Sequence, residues 1–238
     1  MQNNEDIEGA DGEPNSEDFL PTPKPPPTKF ELMPAKGSAL PGAVIVALTS
    51  LACILSWGAP DRFDFFYVSR ESIIKSHEYW RLFTALLGHG DMMHLLHNAP
   101  VYLFFAWILQ GYFGLFASVV LPLVVGVVSN AVAVYFYDDH TKLLGASGMI
   151  FGMVGLWLVL YVRFDQGNWW VKRVMRAIGF SLLVLFPQTY DPKVSYLAHW
   201  SGFLAGILLG RLFLPIFVKI NPSASPTSEL ADPGDKVS

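Results

Sequence analysis

Charged side chains are scarce in this chain. Only 15% of its 238 residues are charged, whereas a soluble domain usually carries about a quarter. The net charge is −4 without a basic block, so nucleic acid is not an expected partner. The single cysteine, Cys53, excludes an intrachain disulfide and gives no support to a cysteine-based metal site or a thiol mechanism. Long apolar runs instead favour one polytopic helical domain in a lipid bilayer.

Both ends of the sequence lack apolar segments. Residues 1–40 contain no hydrophobic core of the kind found in a cleaved signal peptide, and they pass from an acidic stretch to a proline-rich one. Residues 220–238 are polar and rich in serine and proline. Such compositions cannot bury a core. We therefore predict disordered tails at 1–40 and 220–238, flanking a six-helix domain at 41–219.

Six apolar stretches have the length and composition of membrane-spanning helices. The fifth is short, is interrupted by Arg176 and ends at Pro187; the alternative is that it extends back through the basic loop before it. The pattern predicts an all-α membrane protein with six transmembrane helices, at 41–59, 92–111, 115–137, 144–163, 174–188 and 194–219.

The segment 60–91, between the first two spans, mixes charges of both signs with aromatic residues. It is too polar to cross a membrane and too aromatic for a simple linker. Because Trp and Tyr prefer the membrane–water interface, we expect a long structured first loop at that interface.

The distribution of Lys and Arg favours an orientation with both termini inside. The loop after span four is basic, whereas the short connections 111–114 and 138–143 carry only Lys142. The loop 60–91 opposes this orientation with basic residues of its own. On this topology Ser147 and His199 lie at the outer ends of spans four and six, at similar depth.

Gly145-Ala146-Ser147-Gly148 opens span four. Glycines allow a tight turn and close approach of a substrate, and a helix N-terminus offers free N–H groups to an oxyanion. A serine with a histidine is also the smallest set that can form an acyl-enzyme. The alternative is structural: Ser147, Gly148, Gly152 and Gly155 are small residues that let helices pack closely.

His199 begins span six and is followed by Gly202, Gly206 and Gly210. This spacing gives a smooth face for helix contact. If span six packs on span four through these glycines, His199 can reach Ser147, take its proton and return it to the leaving amine. The alternative is a histidine that is hydrogen-bonded to a backbone carbonyl.

A group of polar residues leads into span two: His89, His94, His97 and Asn98. His94 and Asn98 are four residues apart and share a helix face, and both can donate hydrogen bonds without a charge, as an oxyanion hole requires. Two alternatives remain: hydrogen bonds between helices, and a metal site made by His94, His97 and His199. No H-E-x-x-H motif supports the metal site, and the role of His97 is open.

Together these motifs resemble the rhomboid family of intramembrane serine proteases, over residues 42–215. The motifs, in chain order, are Trp80-Arg81, His89-x4-His94-x3-Asn98, Gly145-Ala146-Ser147-Gly148 and Ala198-His199-x2-Gly202-x3-Gly206. Two positions depart from the family pattern. Gln110 stands where many members carry a glutamate, and His97 stands where an apolar residue is more usual.

The resemblance implies hydrolysis of peptide bonds in or beside the transmembrane segments of membrane proteins, without a metal or organic cofactor. It implies Ser147 as nucleophile, His199 as general base, and an oxyanion hole from the Ser147 amide, His94 and Asn98. It also implies supporting roles for Gly145 and for Phe151 beside the histidine, a loop braced by Trp80 and Arg81, and structural roles for Gly202 and Gly206.

Two other functions compete with proteolysis. A non-catalytic relative could bind transmembrane helices, although such a protein needs no serine and histidine together. A transporter or channel ranks last, because the spans hold almost no acidic residues. The default location is the cytoplasmic membrane of a prokaryote; no motif specifies the natural substrate, the cleavage-site preference or the oligomeric state.

Overall fold

The computed structural model describes residues 30, 32–165, 169–185 and 195–221; most of the two predicted tails lies outside this range. The regular secondary structure of the described part is helical, and its β-type pairing is one isolated bridge between Val68 and Leu143. Its α-helices are α1 (Leu40–Trp57), α2 (Pro60–Phe63), α3 (Arg70–Ile74), α4 (Arg81–Thr84), α5 (Met92–Phe113), α6 (Leu121–Phe136), α7 (Ser147–Phe164), α8 (Trp170–Leu185), α9 (Tyr196–Leu212) and α10 (Leu214–Ile220).

Within the described residues, 4 helical segments are long and apolar enough to cross a bilayer. They are α1, α5, α7 and the segment Phe116–Phe136, in which a π-helical stretch leads into α6. The pair α9–α10 meets the same criterion as one segment but is bent by 52°. The prediction of six spans is therefore not confirmed: the structure gives 4 candidate spans, or 5 if the bent pair crosses as one.

The predicted fifth span corresponds to α8, and its start favours the alternative of an extension back through the basic loop. The helix begins at Trp170, four residues before the predicted start at 174. Arg173 lies in its first turn and donates hydrogen bonds to the carbonyls of Val162 (3.0 Å) and Asp165 (2.8 Å). The guanidinium thus satisfies carbonyls at the end of α7, where a helix has no partners of its own. The predicted end of this span, 186–188, lies outside the described residues.

The helix α7 lies at the centre of the fold. Of the candidate spans it is the most buried, and it packs against α5, α6, α8 and α9. Its closest neighbour is α9. Gly148 faces Gly202 and Gly152 faces Gly206, so near that a Cβ on either α9 glycine would overlap a carbonyl oxygen of α7. Because the contacts proceed in the same direction along both helices, α7 and α9 are parallel, and their N-termini lie at the same end of the pair.

The first loop is folded, and it is joined to the segment that leads into α7. Val68 and Leu143 exchange backbone hydrogen bonds of 3.0 and 2.8 Å, and the Gly145 amide donates to the Ala85 carbonyl at 2.8 Å. Near the surface, Lys75 donates to Asp139 at 2.9 Å, which holds the pKa of that carboxyl below its usual value. The loop therefore helps to place the N-terminus of α7.

The side chain of Arg81 connects several parts of this loop. Its Nε donates to the Glu78 carboxylate at 2.6 Å, and Nη1 donates to the carbonyls of Asp64 and Tyr67. The guanidinium also lies 4.6 Å from the ring centroid of Trp80. Although it is charged, this side chain is only 13% exposed. Its contacts suit the bracing role that the resemblance implies.

Replacing Arg81 by methionine should lower the free energy of unfolding by about 1–3 kcal/mol, because the carbonyls of Asp64 and Tyr67 and the Glu78 carboxylate lose a charged donor. Thermal unfolding in detergent measures this effect. Arg62 is the matched control, since it lies in the same loop and is exposed. Equal unfolding temperatures for Arg81→Met and Arg62→Met would contradict a bracing role.

Residues just before α1 contact the far end of α5. Tyr112 donates a hydrogen bond to the Leu32 carbonyl at 2.7 Å, and its ring lies 4.9 Å from that of Phe30. Nearby, Gln110 accepts a hydrogen bond of 2.6 Å from Ser118. The glutamine that departs from the family pattern thus has a polar partner.

Candidate active site

Ser147 is the first residue of α7 and is half-buried. Gly145, two residues earlier, has φ +117°, a conformation that side-chain-bearing residues rarely adopt. A Cβ at this position would also lie 2.8 Å from the ring of His94. Glycine is therefore required at position 145 both by the backbone conformation and by the close approach of the His94 ring.

His199 lies in the first turn of α9 and is almost fully buried, at 2% exposure. Its ring stacks on Phe151, with centroids 3.9 Å apart and an interplanar angle of 21°. Phe151 is one turn after Ser147 on α7. Neither ring nitrogen of His199 has a hydrogen-bond partner, so the ring is not bonded to Ser147 in this structure. In unliganded active sites such contacts are often long and tighten only when the substrate binds.

The alternative of a histidine bonded to a backbone carbonyl is wrong in the described structure, because both nitrogens are unpartnered. The neighbouring Ala198 carbonyl is instead taken by Ser129 of α6, which donates to it at 2.7 Å. At the start of α9, the Ser195 hydroxyl caps the Ala198 amide at 3.1 Å. These bonds fix the first turn of α9, and neither of them involves the imidazole of His199.

On α5, Asn98 is buried and its Nδ2 has no hydrogen-bond partner. The helix begins at Met92, as predicted, because Asp91 caps it by accepting from the His94 amide at 2.8 Å. The rings of His89 and His94 lie 5.0 Å apart. Burial, and then the nearby His94, lowers the pKa of His89 to about 4, so that this ring is neutral at physiological pH.

The remaining predicted residues lie elsewhere. His97 is exposed, and within the described residues no group of three His, Cys, Asp or Glu side chains is placed to hold a metal ion. Trp80 belongs to the first loop, where its ring stacks on Phe65 at 4.8 Å. Gly202 and Gly206 lie in the α7–α9 contact and do not line a separate site.

Ser129 and Asn130 of α6 are buried polar residues that the sequence motifs did not single out, and Ser129 contacts the candidate site. Ser129 contacts the backbone beside His199, and Asn130 donates to the Leu82 carbonyl at 2.9 Å. Two adjacent polar residues inside an otherwise apolar span were a visible signal, since polar groups at membrane depth usually have partners. Their partners lie far away in sequence, so no local pattern identifies them.

The arrangement can support acyl transfer. Ser147 lies at a helix N-terminus, beside free backbone N–H groups. His199, which has two unpartnered ring nitrogens, stacks on Phe151, one turn after Ser147. A buried amide donor on α5 and the neighbouring His94 complete a set of groups that could bind an oxyanion.

The sequence profile of the Rhomboid domain matches residues 76–216. RHOMBOID-like protein 1 of Arabidopsis thaliana is 29% identical over 146 residues, which cover 60% of this chain and 36% of that protein. The putative rhomboid protease YdcA of Bacillus subtilis is 29% identical over 139 residues, covering 57% and 67% respectively. Inactive rhomboid protein 1 of Bos taurus is 29% identical over 142 residues, which cover 58% of this chain and 16% of that protein.

The matched region thus spans roughly a third to two-thirds of the length of the first relatives. The profile match over residues 76–216 contains all four motifs and both residues of the candidate pair. With the apolar helices described above, the domain match confirms the expected family: the chain is an integral membrane protein and belongs to the rhomboid family.

Proposed function

We propose that this protein is an intramembrane serine endopeptidase that cleaves membrane proteins in or beside their transmembrane segments, with Ser147 and His199 as a catalytic dyad. The observation that carries the proposal is the environment of the His199 ring. Its ring is buried, stacked on Phe151 beside the N-terminus of α7, and has no hydrogen-bond partner at either nitrogen. A buried imidazole with two unsatisfied nitrogens is costly for a fold unless the group has another use.

In the proposed reaction, the Ser147 hydroxyl attacks the carbonyl carbon of the scissile peptide bond. His199 accepts the hydroxyl proton, and the carbonyl oxygen becomes an oxyanion. When the tetrahedral intermediate collapses, the C–N bond breaks and His199 returns the proton to the leaving amine. A water molecule, deprotonated by His199, then hydrolyses the ester and restores the serine.

The oxyanion would receive hydrogen bonds from the Ser147 amide, His94 and Asn98. A neutral donor set suits a membrane, because it stabilises developing charge without holding a permanent one there. The first turn of α7 adds its partial positive charge at the same place. Asn98 supports this assignment because its Nδ2 is buried and unpartnered, and thus available to a ligand.

The proposal includes six membrane spans, with α8 and the α9–α10 pair as the last two, and both termini inside. The first loop then lies at the membrane interface and the dyad opens toward the outer side. Rhomboid-named relatives come from a bacterium and from a plant. The proposal therefore covers an integral membrane location and does not extend to the inner membrane of a prokaryote.

A second candidate function is binding of transmembrane helices without cleavage. It is favoured by the similarity to a bovine protein that is named an inactive rhomboid. It makes no use of the unpartnered nitrogens of His199, and so ranks second.

The test is cleavage of a model transmembrane substrate by the purified full chain in liposomes, combined with labelling by a fluorophosphonate. Ser147→Ala should lower cleavage by a factor of at least about 10⁴, because the nucleophile is lost, and should abolish labelling. Ser201→Ala is the matched control: it lies two residues from His199, and its hydroxyl donates to the Ala198 carbonyl at 3.2 Å. This control should keep both activities.

Two outcomes would contradict the proposal. Labelling that survives in Ser147→Ala would place the reactive serine elsewhere. A folded wild-type protein that is neither labelled nor active, but binds the substrate helix as tightly as Ser147→Ala does, would favour the non-catalytic function.

A further inference from the structure

A large cavity lies between α7, α8 and α9; its lining runs from Trp200, next to His199, to Arg163 and Arg211 at the ends of α7 and α9 that are distant from Ser147. Its volume is about 640 Å³. Most of its walls are aliphatic or aromatic, with contributions from all three helices, among them Val159, Val162, Ile178, Leu182, Phe203 and Ile207. The catalytic proposal uses none of these side chains.

Two arginines form the charged part of the cavity wall. Of the described residues that line it, Arg163 and Arg211 are cationic and none is acidic. Arg163 lies in the last turn of α7 and Arg211 in the last turn of α9. At about 1.5 Å per residue, Arg163 lies ~24 Å beyond Ser147 along α7, and Arg211 lies ~18 Å beyond His199 along α9, which is parallel to α7. The cationic end therefore faces the opposite side of the membrane from the candidate active site.

We propose that this cavity binds an anionic phospholipid of the leaflet opposite the candidate active site, with an acyl chain in the apolar groove and the phosphate held by Arg163 and Arg211. The two halves of such a lipid match the two halves of the wall. Apolar walls suit a hydrocarbon chain, and guanidinium groups present planar N–H donors that match phosphate oxygens.

The size and shape of the cavity favour a lipid chain over a protein helix. A helix with side chains is at least about 10 Å wide, so it would fill 640 Å³ within roughly one and a half turns. A single acyl chain is narrow and flexible enough to follow a groove between three helices. A soluble phosphate would contact the arginines but gain nothing from the apolar walls.

Other basic residues would bring anionic lipids to the same face of the membrane. Lys172 and Arg176 lie in the N-terminal half of α8, and Lys219 lies in α10. Each basic residue near a membrane surface attracts anionic lipid by roughly 1 kcal/mol. These residues do not line the cavity, so they would concentrate the lipid without selecting its position.

The proposed lipid would connect α8 to the rest of the protein. Val174, Ile178, Ser181 and Leu182 of α8 form one wall of the cavity, while α7 and α9, which carry the candidate dyad, form the others. A ligand that binds only the folded arrangement stabilises it. We therefore expect the anionic lipid to raise the unfolding temperature of the protein.

The experiment is native mass spectrometry of the full chain in detergent, with added phosphatidylglycerol or with phosphatidylcholine of the same acyl chains. The wild type should retain one phosphatidylglycerol at least about tenfold better than phosphatidylcholine, because two arginines favour a net anionic head group, whereas the choline cation of phosphatidylcholine offsets the charge of its phosphate. The double variant Arg163→Gln, Arg211→Gln should lose this preference. The control Lys172→Gln, Lys219→Gln removes the same charge from the same side and should keep it.

A second variant tests the apolar half. Ile178→Trp leaves both arginines in place but fills the groove, so it should also lower retention of phosphatidylglycerol about tenfold, with thermal unfolding as the check on folding. Equal retention of the two lipids by the wild type would overturn the proposal. So would full retention by the arginine variant, or competition by glycerol phosphate as effective as competition by the lipid. Displacement by a transmembrane peptide at one-to-one stoichiometry would instead assign the cavity to a helix.

Discussion

His199→Gln should lower cleavage of a transmembrane substrate by about 10²–10⁴-fold while the protein remains folded, because a general base contributes a factor of this size. Glutamine can hydrogen-bond but cannot take a proton from the serine hydroxyl near neutral pH. Since activation of the serine depends on its base, labelling by a fluorophosphonate should fall in parallel.

The stability of this variant separates a catalytic role from a structural one. Both ring nitrogens are buried without partners, so no hydrogen bond of the folded state is lost when the ring is replaced. His199→Phe keeps a flat ring against Phe151 and removes two unsatisfied polar atoms; it should be at least as stable as the wild type. A histidine that served only for packing would be replaced by phenylalanine without loss of activity.

His140→Gln provides the control for histidine replacement, since this ring is 85% exposed in the connection between α6 and α7. It should leave cleavage and labelling unchanged. Wild-type cleavage by folded His199→Gln would remove His199 from the mechanism, and with it the dyad that we propose.

Helix positions were largely predictable, because apolar run length and capping residues are local signals. The first span was expected at 41–59 and is observed as Leu40–Trp57; the second starts at Met92 in both. The errors occur where a tertiary contact places a residue in a different element from the one that its local sequence indicates. Arg173 appeared to belong to a basic loop, but it lies within α8 and bonds to the end of α7.

The bend after α9 had a local signal that the span prediction did not use. The predicted span 194–219 is divided at Phe213 into α9 and α10, with an angle of 52°. Pro215 lies at the start of α10, where proline is tolerated because a first-turn amide needs no partner. Hydropathy alone gives the total length of the apolar segment and does not detect a change in the direction of the helix axis.

In the candidate site, the glycine spacing predicted which helices meet, and this agrees with the pairing of Gly202 with Gly148 and of Gly206 with Gly152. The alternative that Gly148 and Gly152 let helices pack closely is therefore confirmed, while the catalytic assignment of Ser147 stays a prediction. The expected approach of His199 to Ser147 did not extend to a hydrogen bond. Side-chain geometry of this kind depends on contacts such as Phe151 on His199, which spacing does not encode.

Gly206→Ala should unfold the protein at a substantially lower temperature and abolish activity. A Cβ at this position would overlap the carbonyl oxygen of Gly152, and a backbone atom inside a helix cannot move aside as a flexible side chain can. The two helices would have to separate. Overpacking of a well-packed contact costs about 1–3 kcal/mol, and in a membrane close packing is a main source of helix association.

The glycines of the chain supply a graded series for this test. Gly179 of α8 has nothing within 4 Å of an added Cβ, so Gly179→Ala should be neutral or stabilising by up to about 1 kcal/mol. At Gly210 the nearest atoms are side-chain atoms of Leu156 (3.1 Å) and Val159 (3.2 Å), which can shift. Gly210→Ala should therefore fall between the two, as measured by thermal unfolding.

Gly202→Ala extends the series to the catalytic end of the contact, because its Cβ would overlap the Gly148 carbonyl, one residue after Ser147. Gly202→Ala and Gly206→Ala should lose similar stability, and Gly202→Ala should also lose activity in the molecules that remain folded, since it displaces His199 directly. If all four alanine variants unfold at the same temperature, the α7–α9 contact does not depend on backbone proximity. If Gly202→Ala is stable and fully active, the contact does not set the position of the dyad.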